Sequence, residues 1–164
     1  MEFPADLVIR FARPDDAATI LAFIRELAEY EKLSHEVVAT EDSLRRSLFG
    51  ERRFVEALIG EVEDEPAGFA LFFHNFSTFL GRPGIYLEDL YVRQEFRGSG
   101  LGRALLVYLA KLALERGCGR LEWSVLDWNE PAIGFYEGVG AAPVDGWTGY
   151  RVTGKALEEL GGET

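Results

Sequence analysis

Leu87-Glu-Asp-Leu-Tyr-Val-Arg-Gln-Glu-Phe-Arg97-Gly-Ser-Gly-Leu-Gly102-Arg103 passes from a β-rich apolar run, through a glycine-studded turn, into a helical pattern. Gly98, Gly100 and Gly102 let the backbone approach a ligand with no Cβ in the way. From Leu101, apolar residues recur at Leu105, Tyr108, Leu109 and Leu112, one face of a helix that runs to Arg116 and stops at Gly117. The first N–H groups of such a helix lack internal acceptors and sit at its positive end. Arg97 and Arg103 add full positive charge. Together, Arg97, Gly98, Ser99, Gly100, Leu101, Gly102 and Arg103 make a pyrophosphate-binding turn. A P-loop needs Gly-Lys followed by Ser or Thr, and no such triplet is present. The dinucleotide pattern GxGxxG is not met either, because Arg103 stands where its last glycine would be.

On the N-terminal side, Leu7-Val-Ile-Arg-Phe11 reads as a strand, and Ala17, Leu21, Ile24 and Ala28 mark a helix over residues 15–32. Thr40 caps a second helix ended by Gly50. Residues 54–62, 67–76 and 85–92 form three apolar runs joined by short turns, an antiparallel meander. On the C-terminal side, residues 121–126 read as a strand. Strand, helix, strand implies a parallel pair through a right-handed crossover. Asn129 caps a further helix with Pro131 in its first turn, and Gly140 ends it. Trp147 to Val152 reads as a last strand, followed by a short helix over residues 155–160. The expected fold class is α/β: one domain over residues 1–164, with a mixed sheet and helices on both faces.

The 164 residues fit one domain, large enough to need no disulfide or structural metal. One cysteine, Cys118, and two distant histidines exclude a Cys-rich zinc site, and no metal is expected. A net charge of −11 disfavours nucleic acid and favours a cationic partner. No apolar run reaches the roughly 18 residues of a membrane span. The opening residues have no basic segment followed by an apolar core, so a cytoplasmic protein without a signal peptide is expected.

The spacing Arg97-x-x-Gly100-x-Gly102 resembles the pyrophosphate loop of the GNAT superfamily of N-acetyltransferases, Arg/Gln-x-x-Gly-x-Gly/Ala. Tyr86 to Val92, Phe96 to Gly102, Val125-Leu-Asp-Trp-Asn-Glu-Pro131 and Phe135-Tyr136 together look like its diamine acetyltransferase subfamily, which includes the spermidine/spermine and thialysine enzymes. The resemblance implies acetyl-CoA as cosubstrate, a small-molecule amine as acceptor and a homodimer. It places main-chain atoms of Leu90, Tyr91 and Val92 against the pantetheine arm, with Asn129 bonding it. It makes Tyr136 the acid that protonates the leaving thiolate and Glu88 the residue touching the amine. Tyr30, Glu31, Asp89, Glu122, Trp123, Ser124 and Asp145 are the further acceptor-side residues it implies. Two departures stand out: Glu137-Gly138-Val139 follows the tyrosine where basic residues are common, and the segment from Gly140 to Trp147 is shorter than in the spermidine/spermine enzymes.

The chemistry calls for these residue types. An alkylammonium has a pKa of about 10.4 and must lose a proton before it attacks. A carboxylate answers that need and a phenol answers the thiolate's. Taken without the resemblance, Tyr136 reads equally as a buried aromatic. Glu88 and Asp89 are neighbours on a strand, so only one faces a cleft unless a bulge intervenes. Three other activities compete with a small-amine acetyltransferase: acetylation of protein lysines or N-termini, a coenzyme A-binding sensor without turnover, and a nucleotide-binding module.

Overall fold

Strands form where apolar side chains alternate, and a two-residue turn sets their register. The computed structural model describes residues 6–163; the signal-peptide reading rests mainly on residues 1–5, which lie outside them. Five strands follow one another across a single sheet in chain order: β1 (Leu7–Phe11), β2 (Glu56–Val62), β3 (Glu65–Ser77), β4 (Arg82–Val92) and β5 (Leu121–Trp123). The first four pair antiparallel, while β4 and β5 pair parallel. Glu63 and Asp64 both take left-handed φ values, 51° and 65°, the type I′ geometry that joins β2 to β3 with matching twist.

Helices cover both faces, as the sequence implies. α1 (Ala17–Tyr30) enters through a 3-10 turn at Pro14–Asp16, two residues shorter at its start than the periodicity suggests. The reason lies in Asp16. Its carboxylate accepts from the Arg10 guanidinium at 2.7 and 2.9 Å and from the Arg13 N–H at 2.6 Å, so it anchors the turn to β1. α2 (Glu41–Phe49) starts from a reciprocal cap between Thr40 and Ser43. Ile20, Leu21 and Phe23 of α1 and Leu44 and Leu48 of α2 bury against Ala57, Ile59, Phe69, Leu71 and Tyr91. These are alternate positions of β2, β3 and β4, hence one face of the sheet.

The intervening positions belong to α3 (Leu101–Glu115). Leu101 lies directly over Gly60, where a Cβ would collide with it, and reaches to Gly68, where a Cβ would be tight against it. Leu105 and Leu109 are fully buried, as are Leu58, Ala70 and Phe72. Cys118, just past this helix, is a buried free thiol.

The residues from Asn129 onward form a second compact unit with its own two helices, α4 (Glu130–Gly138) and α5 (Gly154–Gly161). The last strand expected over Trp147–Val152 is not there; residues 147–153 have no regular structure. β-propensity expresses itself only where a neighbour offers a ladder. Gly149 interrupts the stretch, and Trp147 and Tyr150 are 80% and 95% exposed. β5 is likewise three residues long rather than six. Among the described residues no helix is long and apolar enough to cross a membrane.

Candidate active site

The register of β4 creates the site. Leu87 pairs with Phe72 and Asp89 with Leu71, so Glu88 is the extra residue of a β-bulge. On its other side β4 has only three rungs to β5, at Ile85–Leu121, Tyr86–Glu122 and Leu87–Trp123. From Glu88 onward that edge of β4 therefore has no strand beside it. The main-chain groups of Leu90, Tyr91 and Val92 lie along this opening, where a ligand's amides can add a strand of their own.

At the end of the open edge the chain turns through Gly98 and Gly100, with φ of 83° and 87°. Residues with a Cβ rarely adopt such values, which is why glycine stands at both positions. Ser99 Oγ accepts from the Leu101 N–H at 3.4 Å, and the Gly100 carbonyl accepts from Ala104 at 2.9 Å. The N–H groups of Gly102 and Arg103 meet no acceptor among the described residues and point out of the helix start. Arg97 donates its Nε to the Val92 carbonyl at 3.2 Å and lays its guanidinium over the Tyr30 ring, 5.1 Å from the centroid.

Tyr30 and Glu31 end α1 beside this turn. Tyr30 also contacts the Trp128 ring, centroids 6.1 Å apart, and the Lys32 ammonium caps the Trp128 face at 5.3 Å. Glu31, Glu88 and Asp89 form an acidic group. Burial pushes the Asp89 carboxyl up to about 6, and the charges of Glu88 and Glu31 push it the same way. Burial also raises Glu31. Glu88 is exposed. The bulge thus breaks the alternation that would have set the two carboxyls on opposite faces.

Below the bulge, the face of β4 carries side chains that sequence reasoning did not select. Tyr86 shares a hydrogen bond of 2.8 Å with Ser124, and its ring lies 5.2 Å from Phe73. Asn75 donates to Glu122 at 3.3 Å. Glu122 and Ser124 therefore lie on one wall, with Trp123 half-buried between them. The signal for Tyr86 was its parity with Glu88 along a strand; the partners on β3 required the register.

In the second unit, Asn129 Oδ1 accepts from Ala132 N–H at 3.4 Å as the cap of α4. Tyr136 follows seven positions later, on the same side of the helix, half-buried and with its ring 5.6 Å from Phe135. Asp145 is exposed on the turn with Gly146. Among the described residues no cluster of three or more His, Cys, Asp or Glu could hold a metal ion.

The family model of the acetyltransferase (GNAT) family matches residues 20–141, from α1 through α4. The chain belongs to this family. Thialysine N-epsilon-acetyltransferase of Bos taurus is 41% identical over 97% of this N-acetyltransferase and 99% of its own length. An L-ornithine N5-acetyltransferase of Arabidopsis thaliana is 34% identical over 93% of this chain and 86% of its own. Among solved structures, an integron cassette protein from the mobile metagenome of V. cholerae superposes with a TM-score of 0.81 at 26% identity, covering 98% of this chain and all of that one. The N-acetyltransferase family accounts for the strand–turn–helix from Leu87 to Arg103 and makes acetyl-CoA the cosubstrate to which it must be fitted. The unladdered edge of β4, the two left-handed glycines and the free N–H groups at the start of α3 fit an amide-bearing arm ending in a pyrophosphate.

Proposed function

We propose that this N-acetyltransferase transfers the acetyl group of acetyl-CoA to the primary amine of a small cationic acceptor, a polyamine, diamine or lysine analogue, by direct attack in a ternary complex. The observation that carries the reading is the acidic group Glu31, Glu88 and Asp89 beside the open edge of β4. Carboxylates in that position attract an ammonium and take its proton. Relatives named for thialysine and for ornithine acetylation support an acceptor of this size and charge.

In this reading Leu90, Tyr91 and Val92 hold the pantetheine arm through main-chain bonds, with Asn129 assisting. Residues 97–103 take the pyrophosphate. Acetyl-CoA supplies the activated thioester. Glu88 touches the amine and removes its proton directly or through water, and Asp89 adds to the charge that draws the amine in. Tyr30, Glu122, Trp123, Ser124 and Asp145 complete the acceptor side. Tyr136 donates a proton to the departing thiolate. The chain works as one domain over residues 1–164, as a homodimer in the cytoplasm.

The test is thiol release from acetyl-CoA against a panel of amines: putrescine, spermidine, ornithine, lysine, thialysine, an aminoglycoside and a lysine-containing peptide. Turnover of a small di- or polycationic amine supports the reading. Turnover confined to the peptide, or none with any amine, would overturn it.

A further inference from the structure

Lys32 occupies an unusual place. α1 ends in a double hydrogen-bonded stop, with Lys32 N–H donating to the Glu29 carbonyl at 3.1 Å and Leu33 N–H to the Ala28 carbonyl at 2.8 Å. This Schellman arrangement sets the first of the two donors in the left-handed region, where glycine is favoured. Lys32 takes it with φ of 61°. A non-glycine residue held there is worth a functional question. Lys32 is exposed and follows Glu31, whose charge reaches Asp89, yet it makes no ion pair among the described residues. Instead it caps the Trp128 ring, which leans on Tyr30, which in turn carries Arg97.

This stack has a chemical reading. A strongly negative cleft repels a carboxylate unless a cation is held at its rim. The ring of Trp128 holds the Lys32 ammonium in place without neutralising it, because cation–π attraction leaves its N–H donors available to an anion. Building on the acceptor reading above, we propose that Lys32 is a specificity-determining residue. Its ammonium binds the carboxylate of an acceptor that carries an amine at one end and an amino-acid head at the other. Glu31, Glu88 and Asp89 attend to the ammonium groups of the same molecule. Acceptors that are ω-amino acids are thereby preferred over the diamines obtained by removing their carboxylate.

The experiment compares kcat/KM for two matched pairs, lysine against cadaverine and ornithine against putrescine, in wild type, Lys32→Met, Lys32→Arg and Lys32→Gly. Met keeps the stem length and the left-handed Cβ and removes only the charge. The ratio of amino acid to diamine should fall about 10- to 100-fold in Lys32→Met, the worth of one hydrogen bond to a charged group. The fall should appear in KM for the amino acid rather than in kcat. Lys32→Arg should restore most of the ratio. Lys32→Gly relieves the backbone, so its melting temperature should rise while the ratio still falls; a residue serving only as a helix stop would show the first effect without the second. A ratio within about three-fold of wild type in Lys32→Met overturns the proposal while leaving the acceptor reading intact. Turnover of spermidine with none of the four overturns the proposal while leaving the acceptor reading intact, and absence of thiol release with every amine of the panel overturns the acceptor reading itself.

Discussion

In the proposed mechanism, Tyr136 is the residue on which the chemistry turns. Tyr136→Phe keeps the ring against Phe135 and removes only the hydroxyl. Folding and acetyl-CoA affinity should persist, while kcat falls roughly 10²- to 10⁴-fold, the usual worth of a positioned general acid. Steady-state kinetics alongside a thermal melt checks this, and more than about a third of wild-type turnover would show that another group or water gives the proton. Arg97 touches both the turn and Tyr30, so Arg97→Ala should weaken coenzyme A binding by about 1–3 kcal/mol in calorimetry. Asp89 gives a pH signature. Its carboxyl, pushed from 3.8 to about 6, keeps a proton in the folded state that the unfolded chain has released. Its contribution to stability is therefore complete below pH ~4 and is lost as pH rises through ~6. Asp89→Asn should melt higher than wild type at pH 7.5, by about 1–3 kcal/mol, and equal to it near pH 4. An Asn variant that is less stable at pH 7.5 would mean the carboxylate is held by partners rather than burdened by burial. The order Glu88-Asp89 was plain in the sequence. Which of the two carries the perturbed carboxyl was not, because that depends on burial and on the distant Glu31.

At the level of elements, the sequence led to β1–β5, with β5 drawn too long, and to α1–α5, because periods of two and 3.6 or cap and stop residues mark them. It failed at Trp147–Val152, where aromatic and β-branched residues promise a strand but no ladder receives them. The bulge at Glu88 was foreseen only as a condition, since no residue in Leu87-Glu-Asp-Leu marks it; the mismatch is visible only against Leu71 and Phe72 of β3. The glycines inside β2 and β3 carried no mark in the apolar runs that contain them, and their reason is proximity. A Cβ at Gly68 would stand 2.5 Å from the Tyr91 carbonyl oxygen, a main-chain atom that cannot step aside. Gly68→Ala should force β3 away from β4 near Val92 and cost about 1–3 kcal/mol. Chemical denaturation measures the loss, and a variant as stable as wild type would mean the two strands have slack that the register does not suggest.

For the molecule as a whole, the second unit exposes Val144, Trp147, Tyr150 and Val152, an apolar series that a two-fold partner would cover. Light scattering at micromolar concentration should return twice the chain mass of 18.4 kDa, and Trp147→Ser with Tyr150→Ser should shift it towards one. A single-chain mass for the wild type at that concentration would remove the homodimer. The charge of −11 was readable from composition, and it keeps copies apart everywhere except where such apolar surface meets its match. The parting of β4 from β5 has one more consequence. A sheet with a bare stretch of edge in its middle invites a foreign strand, and other copies of the same chain are the commonest supply. In the proposed reading, the coenzyme A that fills this gap during turnover also plugs it between turnovers. Preparations stripped of coenzyme A should cloud and precipitate on storage sooner than those kept saturated with it, a matter of shelf life that the catalytic cycle, by keeping the groove filled, solves in passing.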